Sequence, residues 1–241
     1  MEVQIVHFYP DLMNLYGSYA NVLTLKRYLE QLGCSVTTKA VIPGGETRFA
    51  QGDFFYMGAG TERSAKAVMT DFARFREELK AAANDGAAML FAGTAMELLG
   101  KSVQEADGTS YPAAGLADFT TEHRKTRIVG DVYGYTELFP EAVVGFMNKC
   151  GITTGIGTPL LSKVAMGHGN EAPHSPEGFH WKNVFASELT GPLLVKNPRM
   201  LETVAAAIYA RRGETLPLDR PSDPWAEAGY TVTEEQLRKQ I

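Results

Sequence analysis

The sequence predicts an α/β fold with a mostly parallel, doubly wound sheet flanked by helices and with extra strands in its second half. Up to about Gly100, short apolar runs alternate with segments of helical periodicity; after Ser102, short β-type runs are separated by glycine. Alternating β and α segments are typical of parallel sheets covered by helices. With 241 residues, 44% of them hydrophobic, the chain is long enough to bury a substantial core.

The first half is predicted to hold four strands and two helices. The strands are short apolar or alternating runs over Val3 to Phe8, Cys34 to Ile42, Phe54 to Met57 and Ala87 to Ala92. Apolar residues three or four positions apart indicate helices from Ser18 to Leu32 and from Ala65 to Ala82. Ligands of doubly wound sheets bind beyond the carboxyl ends of the strands, so the loops after Phe8, Met57 and Ala92 are expected to form the site.

The second half is predicted to add strands to the same sheet. They are the runs Arg127 to Val132, Val143 to Phe146 and Lys163 to Met166, followed by a helix from about Pro198 to Arg212. We therefore divide the chain into one domain, 1–212, and a C-terminal extension, 213–241. The extension begins rich in proline and charge, and the capping box Thr233-Glu-Glu-Gln236 predicts that a short helix starts there.

Composition narrows the class of protein. The net charge of −5 comes from interspersed acidic and basic residues, which gives no footprint for nucleic acid. Neither a leader nor an apolar run of bilayer length is present, so we expect a cytoplasmic protein without membrane insertion. Cys34 and Cys150 are too few for a disulfide framework, and no metal site or cofactor is predicted.

Three separated blocks of residues resemble one known family. They are Pro10-Asp-Leu-Met-Asn-Leu-Tyr-Gly17, Gly145-Phe-Met-Asn148 and Gly191-Pro-Leu-Leu-Val-Lys-Asn-Pro198. In order and spacing they resemble the CobB/CobQ-like glutamine amidotransferases, and among these the glutaminase subunits of lipid II isoglutaminyl synthase. The resemblance implies a class I glutaminase domain that passes ammonia from glutamine to an ATP-dependent, Mur-ligase-like partner, which amidates the D-glutamate of the peptidoglycan precursor.

The residues that carry chemistry in that family are replaced here. Hydrolysis of a primary amide needs an activated nucleophile and a proton acceptor, and the family uses a Cys and a His. Its Cys-Gly-Gly-Tyr-Gln-Leu-Leu-Gly turn corresponds to Gly93-Thr-Ala-Met-Glu-Leu-Leu-Gly100, and its His position to Thr190. Glu188, two residues before Thr190, would share its face in an extended run and is a candidate base. Thr94 is a poor nucleophile without a base.

Other segments of the site resemble the family in part. The turn Gly58-Ala-Gly60 resembles a Gly-Gly-Gly oxyanion turn, although its usual Gln-Asp sequel is Thr61-Glu62. Arg127, with Arg124 close by, matches an Arg that relatives use to bind glutamine. Asn148 remains in a Gly-Phe-Glu-Asn-His block whose Glu and His have become Met147 and Lys149.

These substitutions leave three hypotheses for function. The first is a glutaminase-like subunit that has lost glutamine hydrolysis and binds or regulates a Mur-ligase-like partner. The second is an active amidotransferase or hydrolase with Cys150 as a relocated nucleophile and His168 or His180 as its base. The third is a sensor of glutamine or a glutamine-like small molecule. The five histidines are otherwise expected in loops or at the surface.

Overall fold

The computed structural model describes residues 1–241, which form an α/β fold as predicted. The first sheet has the strand order β10-β11-β4-β3-β1-β2, and only β10 runs antiparallel to its neighbour. Its strands are β1 (Glu2–Phe8), β2 (Ser35–Val41), β3 (Phe54–Met57), β4 (Ala88–Ala92), β10 (Phe179–Trp181) and β11 (Val184–Ser187). All four strands predicted in the first half are present, within one or two residues of their predicted ends.

Helices cover both faces of the first sheet. They are α1 (Ala20–Gln31), α2 (Glu62–Ala73), α3 (Arg76–Asn84), α4 (Leu193–Lys196) and α5 (Pro198–Arg211). Alternate side chains of each strand point to opposite faces. Phe55 and Met57 therefore lie in one core with α2 and α3, while Phe54 and Tyr56 lie in the other with α1 and α5. The interior strands are thus buried on both faces, as their continuous apolar runs indicate.

The predicted long helix from Ala65 to Ala82 is two helices. The helix is interrupted between α2 and α3, where the amide of Phe75 donates to Phe72 O. Phe72, Phe75 and Leu79 are all buried in the same core. Apolar spacing continues across the break, so periodicity alone could not locate it.

The three strands predicted in the second half belong to a separate sheet and do not extend the first, so that prediction was wrong. Its order is β12-β8-β7-β5-β6, with β9 also paired to β7, and its pairings are antiparallel except for β5 with β7. The strands are β5 (Ser102–Gln104), β6 (Ser110–Pro112), β7 (Thr120–Tyr135), β8 (Val143–Thr154), β9 (Lys163–Met166) and β12 (Leu189–Thr190). The sequence predicted only parts of β7 and β8.

The C-terminal segment packs against this second sheet through α6 (Pro224–Arg238). Asp223 caps the helix, its carboxylate accepting from the amides of Trp225 and Ala226 at 3.0 and 3.2 Å. The predicted start at Thr233 was therefore wrong: that hydroxyl donates to Gly229 O at 2.8 Å, within the helix. No helix of the chain combines the length and the apolar character needed to cross a membrane.

Candidate functional site

A cavity of about 130 Å³ lies beyond the carboxyl ends of β3 and β4, facing β7 and β8 of the second sheet. Its lining residues are Leu15, Tyr16, Ala59, Gly60, Thr61, Glu62, Gly93, Thr94, Arg127, Asn148, Glu188 and Thr190. Five of the seven site residues predicted from the sequence are among them. Gly58 and Cys150 lie beside the cavity, next to Ala59 and against Glu62.

Gly93 follows β4 at the position where the family resemblance places a nucleophile. Its φ of +60° belongs to the left-handed region, which strains residues that carry a side chain. A Cβ atom built on Gly93 would lie 2.7 Å from the Cβ of Ala59 and 3.5 Å from the Cγ2 of Thr190. The methyl group of Ala59 thus occupies the space that a side chain at position 93 would need.

Two backbone amides of the turn Gly58-Ala59-Gly60 are bonded to side chains from other segments of the protein. Ala59 N donates to Ser18 Oγ at 3.0 Å, and Gly60 N donates to Thr94 Oγ1 at 2.9 Å. The Thr94 hydroxyl returns a hydrogen bond to Gly60 O at 3.0 Å. These two amides are therefore engaged rather than free to bind an oxyanion. Gly58 leaves no room for a side chain, because its Cβ would lie 2.4 Å from Ser18 Oγ.

Thr190 and Glu188 enter the cavity from the junction of the two sheets. β11 ends at Ser187 in the first sheet, and β12 begins at Leu189 in the second, so Glu188 is the residue at which the chain changes sheet. Thr190 Oγ1 donates to Phe146 O of β8 at 2.9 Å. Both residues line the cavity, as the predicted alternation expects, and the Thr190 hydroxyl is already used as a donor.

Glu188 is 1% exposed, and its Oε1 has no hydrogen-bond partner. Burial raises the pKa of its carboxyl well above the ordinary value, and the negative charge of Glu97 adds to that effect. Its amide donates to Oε1 of the buried Glu177 at 2.7 Å. Both effects favour the protonated form of this buried carboxyl.

Arg127 closes one side of the cavity. Its guanidinium contacts Glu62 at 2.5 Å, and it donates to the side chain and the backbone carbonyl of Asn148 at 2.7 and 2.9 Å. Asn148 Nδ2 in turn donates to Tyr16 Oη at 2.7 Å. Arg124, which lies close to Arg127 in the sequence, pairs with Glu122 and does not line this cavity.

Cys150 is half-buried beside the Arg127 and Glu62 pair. Its thiol donates to Glu62 Oε1 at 3.5 Å, and none of its hydrogen bonds involves a histidine. Burial, and after it the negative charge of Glu62, raises the pKa of this thiol to about 12. A thiol that stays protonated is a weak nucleophile.

Sequence reasoning missed a buried charge network under the cavity. His123 Nε2 lies 2.8 Å from Glu97 and its Nδ1 lies 3.2 Å from Glu105. Burial disfavours the imidazolium, but these carboxylates outweigh it and raise the pKa of His123 to about 9. The expectation of surface or loop histidines was therefore wrong for His123 and also for His7, which is buried in β1.

Two signals could have revealed this network. Glu97 stands where the family segment has Gln, and strand alternation puts His123 on the buried face that Thr121 shares. Lys149, also missed, is buried and donates from Nζ to Gly169 O and Asn170 O at 3.0 and 3.3 Å. No group of three or more His, Cys, Asp or Glu side chains is placed to hold a metal ion.

Residues 4–198 match the model of the CobB/CobQ-like glutamine amidotransferase domain. Two relatives are each named lipid II isoglutaminyl synthase (glutamine-hydrolyzing) subunit GatD. The Staphylococcus aureus (strain N315) protein is 30% identical over 213 residues, 88% of this chain and 86% of its own length. The Streptococcus pneumoniae (strain ATCC BAA-255 / R6) protein is 30% identical over 226 residues, 92% of this chain and 86% of its own length.

A solved structure has the same fold. The glutaminase domain of Trypanosoma brucei CTPS with bound acivicin superposes with a TM-score of 0.51 at 10% sequence identity. The match covers 92% of this chain and 98% of that domain. At this identity the likeness establishes the fold and nothing about chemistry.

Proposed function

The chain belongs to the CobB/CobQ-like glutamine amidotransferase family, and from this premise we propose that it is a glutaminase-like subunit that has lost glutamine hydrolysis. In this role it binds or regulates a Mur-ligase-like partner that amidates the peptidoglycan precursor lipid II. Gly93 and Thr190 occupy the positions of the nucleophile and its base. Losing either member of such a unit removes most of the rate, and losing both costs little more.

The observation that carries the proposal is the fit of Ala59 against Gly93. A Cβ at position 93 would stand 2.7 Å from the Ala59 methyl group, closer than two carbon atoms pack without displacement. Thr94 also binds the amide and carbonyl of Gly60. Position 93 thus has no space for a nucleophilic side chain, which supports the loss of hydrolysis.

Cys150 as a relocated nucleophile is the alternative for an active enzyme. Its raised pKa and its contact with Glu62 favour an inert thiol. Alkylation followed by peptide mapping tests this, together with ammonia release from glutamine by Cys150→Ala. We expect slow alkylation and no change in ammonia release. Rapid labelling of Cys150 with loss of ammonia release in the variant would establish the alternative.

A sensor of glutamine-like molecules is the alternative for the same cavity. A free amino acid brings a carboxylate, which needs cationic or N–H donors. Three N–H groups of Arg127 are already used by Glu62 and Asn148, and the Glu62 carboxylate offsets the charge of the guanidinium, which weakens its attraction for a ligand carboxylate. Calorimetric titration with glutamine and glutamate tests this alternative, and we expect no heat of binding.

The partner role is supported by an apolar surface at the cavity mouth. The rim patch consists of Leu12, Leu15, Tyr16, Tyr19 and Leu23, each between 36% and 55% exposed. Leu15 and Tyr16 of the patch also line the cavity. Exposed apolar side chains grouped in one segment of a chain are typical of an interaction surface. We assign the rim patch to the Mur-ligase-like partner.

Sedimentation of the chain with a Mur-ligase-like protein of the same organism tests that assignment. The double variant Leu12→Glu/Leu23→Glu should raise the Kd of the complex by about tenfold or more, since it buries charge at an apolar contact. Leu218→Glu is the matched control, because Leu218 is 95% exposed and lies outside the patch. Absence of a complex, or equal effects of both variants, would contradict the assignment.

A further inference from the structure

The outer edge of β7 is open over the middle of the strand. β8 pairs with one side of β7 along most of its length. On the other side, β5 pairs only with residues 120–122, and β9 pairs only with residues 133–135. Residues 123–132 therefore have no neighbouring strand on that side. An unpaired strand edge presents backbone N–H and C=O groups that can pair with another chain.

A groove of about 220 Å³ runs along this open edge. Its lining includes the five consecutive residues 128–132 of β7. Successive side chains of a strand point to opposite faces, so a space that contacts five residues in a row lies along the backbone edge of the strand. Met147, Gly167, His168 and Pro173 form the rest of the lining. We call this space the edge groove.

Backbone groups in the edge groove are free to bond with an added strand. In an antiparallel pair, about half of the residues direct their N–H and C=O groups away from the neighbouring strand. None of the backbone hydrogen bonds outside the strand ladders involves residues 128–132. Gly130 leaves the groove unobstructed, because a Cβ there would have no atom within 4 Å. Val129, next to it, is 59% exposed.

We propose that the edge groove binds an extended segment of the Mur-ligase-like partner, which adds to β7 as a further strand and places an apolar side chain beside Met147 and Pro173. When a peptide adds to an open sheet edge, main-chain hydrogen bonds supply affinity and pockets select alternate side chains. This inference rests on the proposed function, because it takes the partner from it.

The charge beside the edge groove favours an acidic segment. Residues 124–127 form a bulge in β7, since these four residues lie opposite the single Cys150 of β8. Three of the four, Arg124, Lys125 and Arg127, are exposed cations. The two arginines pair with carboxylates of the chain, whereas Lys125 forms no ion pair. A carboxylate at this end of the added segment would pair with Lys125.

The edge groove is connected to the cavity mouth through Arg127. This residue of the bulge lines the cavity and donates to Asn148 at 2.7 Å. Asn148 in turn donates to Tyr16 of the rim patch. A partner that covers the rim patch therefore reaches the start of the open edge.

A second copy of the chain does not fit this edge. β5 and β9 border the open interval at its two ends, so the edge is recessed between them. The same strands border the edge in a second copy, and they would collide before two such edges came within the roughly 4.8 Å that separates paired strands. A single extended segment enters the interval without that collision.

Hydrogen–deuterium exchange of the full chain, alone and with a Mur-ligase-like protein of the same organism, tests the proposal. Amides of residues 128–132 should exchange more slowly in the complex, because those that face outward then bond to the added segment. The chain alone is measured at two concentrations. Protection that rises with its own concentration would assign the edge to a second copy and overturn the proposal.

Two variants probe the groove by side-chain volume and by charge. Gly130→Tyr fills the groove and should raise the Kd of the complex by about tenfold or more. Gly157→Tyr is its matched control, because Gly157 is exposed in a loop and has equally open surroundings. Lys125→Glu should also weaken the complex, most strongly at low salt, whereas Lys239→Glu at the exposed C-terminus should not. Circular dichroism checks that each variant is folded.

Equal exchange of residues 128–132 with and without the partner, or wild-type affinity of Gly130→Tyr, would overturn strand addition. The rim variant Leu12→Glu/Leu23→Glu separates this inference from the proposed function. A complex that the rim variant weakens and Gly130→Tyr leaves intact would support the partner role and overturn strand addition alone. Absence of any complex would contradict the partner role and, with it, this inference.

Discussion

At the scale of single residues, Ala59 and Gly93 lie close together in the wall of the cavity. The family resemblance sets Ala59 against the middle glycine of a Gly-Gly-Gly turn and Gly93 against the catalytic Cys. The Ala59 Cβ lies 2.7 Å from the position that a Cβ on residue 93 would take. The two residues are therefore complementary in volume, and a side chain at position 93 would be strained while Ala59 is present.

A double-mutant cycle tests this complementarity. Gly93→Ala should lower the free energy of unfolding by about 1–3 kcal/mol, because its methyl group overlaps that of Ala59. In an Ala59→Gly background the same substitution should cost at least about 1 kcal/mol less. The strain of a positive φ at position 93 is present in both backgrounds, so it cancels in the coupling free energy. Urea denaturation of the four proteins gives the coupling, and strictly additive effects would refute the overlap.

Glu188 makes a prediction about pH. A carboxyl whose pKa is raised by folding stabilises the protein most below its unfolded pKa, and this contribution is lost as the pH rises through the folded value. Glu188→Gln removes the effect. Relative to the wild type, the variant should gain on the order of 1 kcal/mol of stability between about pH 5 and pH 8. Denaturation curves at both pH values measure it, and a difference that does not change with pH would contradict it.

At the scale of elements, the site lies where two sheets meet. Gly93 follows β4 of the first sheet, while Thr190 on β12 and Asn148 on β8 come from the second. The buried pair of Glu97 and His123 joins the turn after β4 to β7. Gly151 on β8 makes room for it, because a Cβ there would lie 2.6 Å from Glu97 Oε1.

Removal of His123 tests the strength of this link. Its pKa of about 9 means that the imidazolium stabilises the fold below its unfolded pKa, and that this stability is lost as the pH rises through about 9. His123→Gln should cost about 3–5 kcal/mol at about pH 7, since it leaves Glu97 buried without its partner. The cost should shrink at about pH 10. Guanidinium denaturation of the wild type and His123→Gln at the two pH values measures this cost. An equal loss of stability at both pH values would contradict an ionised pair of His123 and Glu97.

Sequence patterns grouped the candidate site residues better than they placed the second sheet. Five of them, Gly60, Gly93, Arg127, Asn148 and Thr190, were taken from the family resemblance, and all five line one cavity. Alternation in the second half indicated strands but not their partners. Pairing depends on long-range register, so the separate sheet could not be read from local patterns.

The C-terminal helix was predicted, but its start was misplaced for a different reason. Thr233-Glu-Glu-Gln236 satisfies the capping-box pattern, yet Asp223 followed by Pro224 provides an earlier start with equal local chemistry. Packing decides between them, because Leu237 and Tyr230 contact the second sheet. A cap motif therefore identifies a possible helix start without excluding one upstream.

At the scale of the whole molecule, we propose that the extension 213–241 is a stabilising part of the fold and not a free arm. Tyr133 Oη donates to Glu234 at 2.7 Å, and Tyr230 Oη donates to Ala142 O at 2.8 Å. Leu237→Ala should lower the free energy of unfolding by about 2 kcal/mol, through loss of apolar burial. Leu218→Ala, at an exposed position of the same extension, should change it by less than about 0.5 kcal/mol.

Thermal unfolding followed by two probes measures this contribution. Tyrosine fluorescence and far-ultraviolet circular dichroism should give one coincident transition, shifted down in Leu237→Ala. A Leu237→Ala transition identical to that of the wild type would mean that the extension is energetically independent of residues 1–212.

The central claim is that a glutaminase scaffold persists here without its chemistry. Nuclear magnetic resonance of glutamine labelled with nitrogen-15 in its amide group, incubated with the chain and a Mur-ligase-like partner, measures it most directly. We predict no labelled ammonium above the uncatalysed background. Turnover at the rates of working enzymes, about 1–1,000 per second, that is abolished by a substitution in the cavity would contradict the claim.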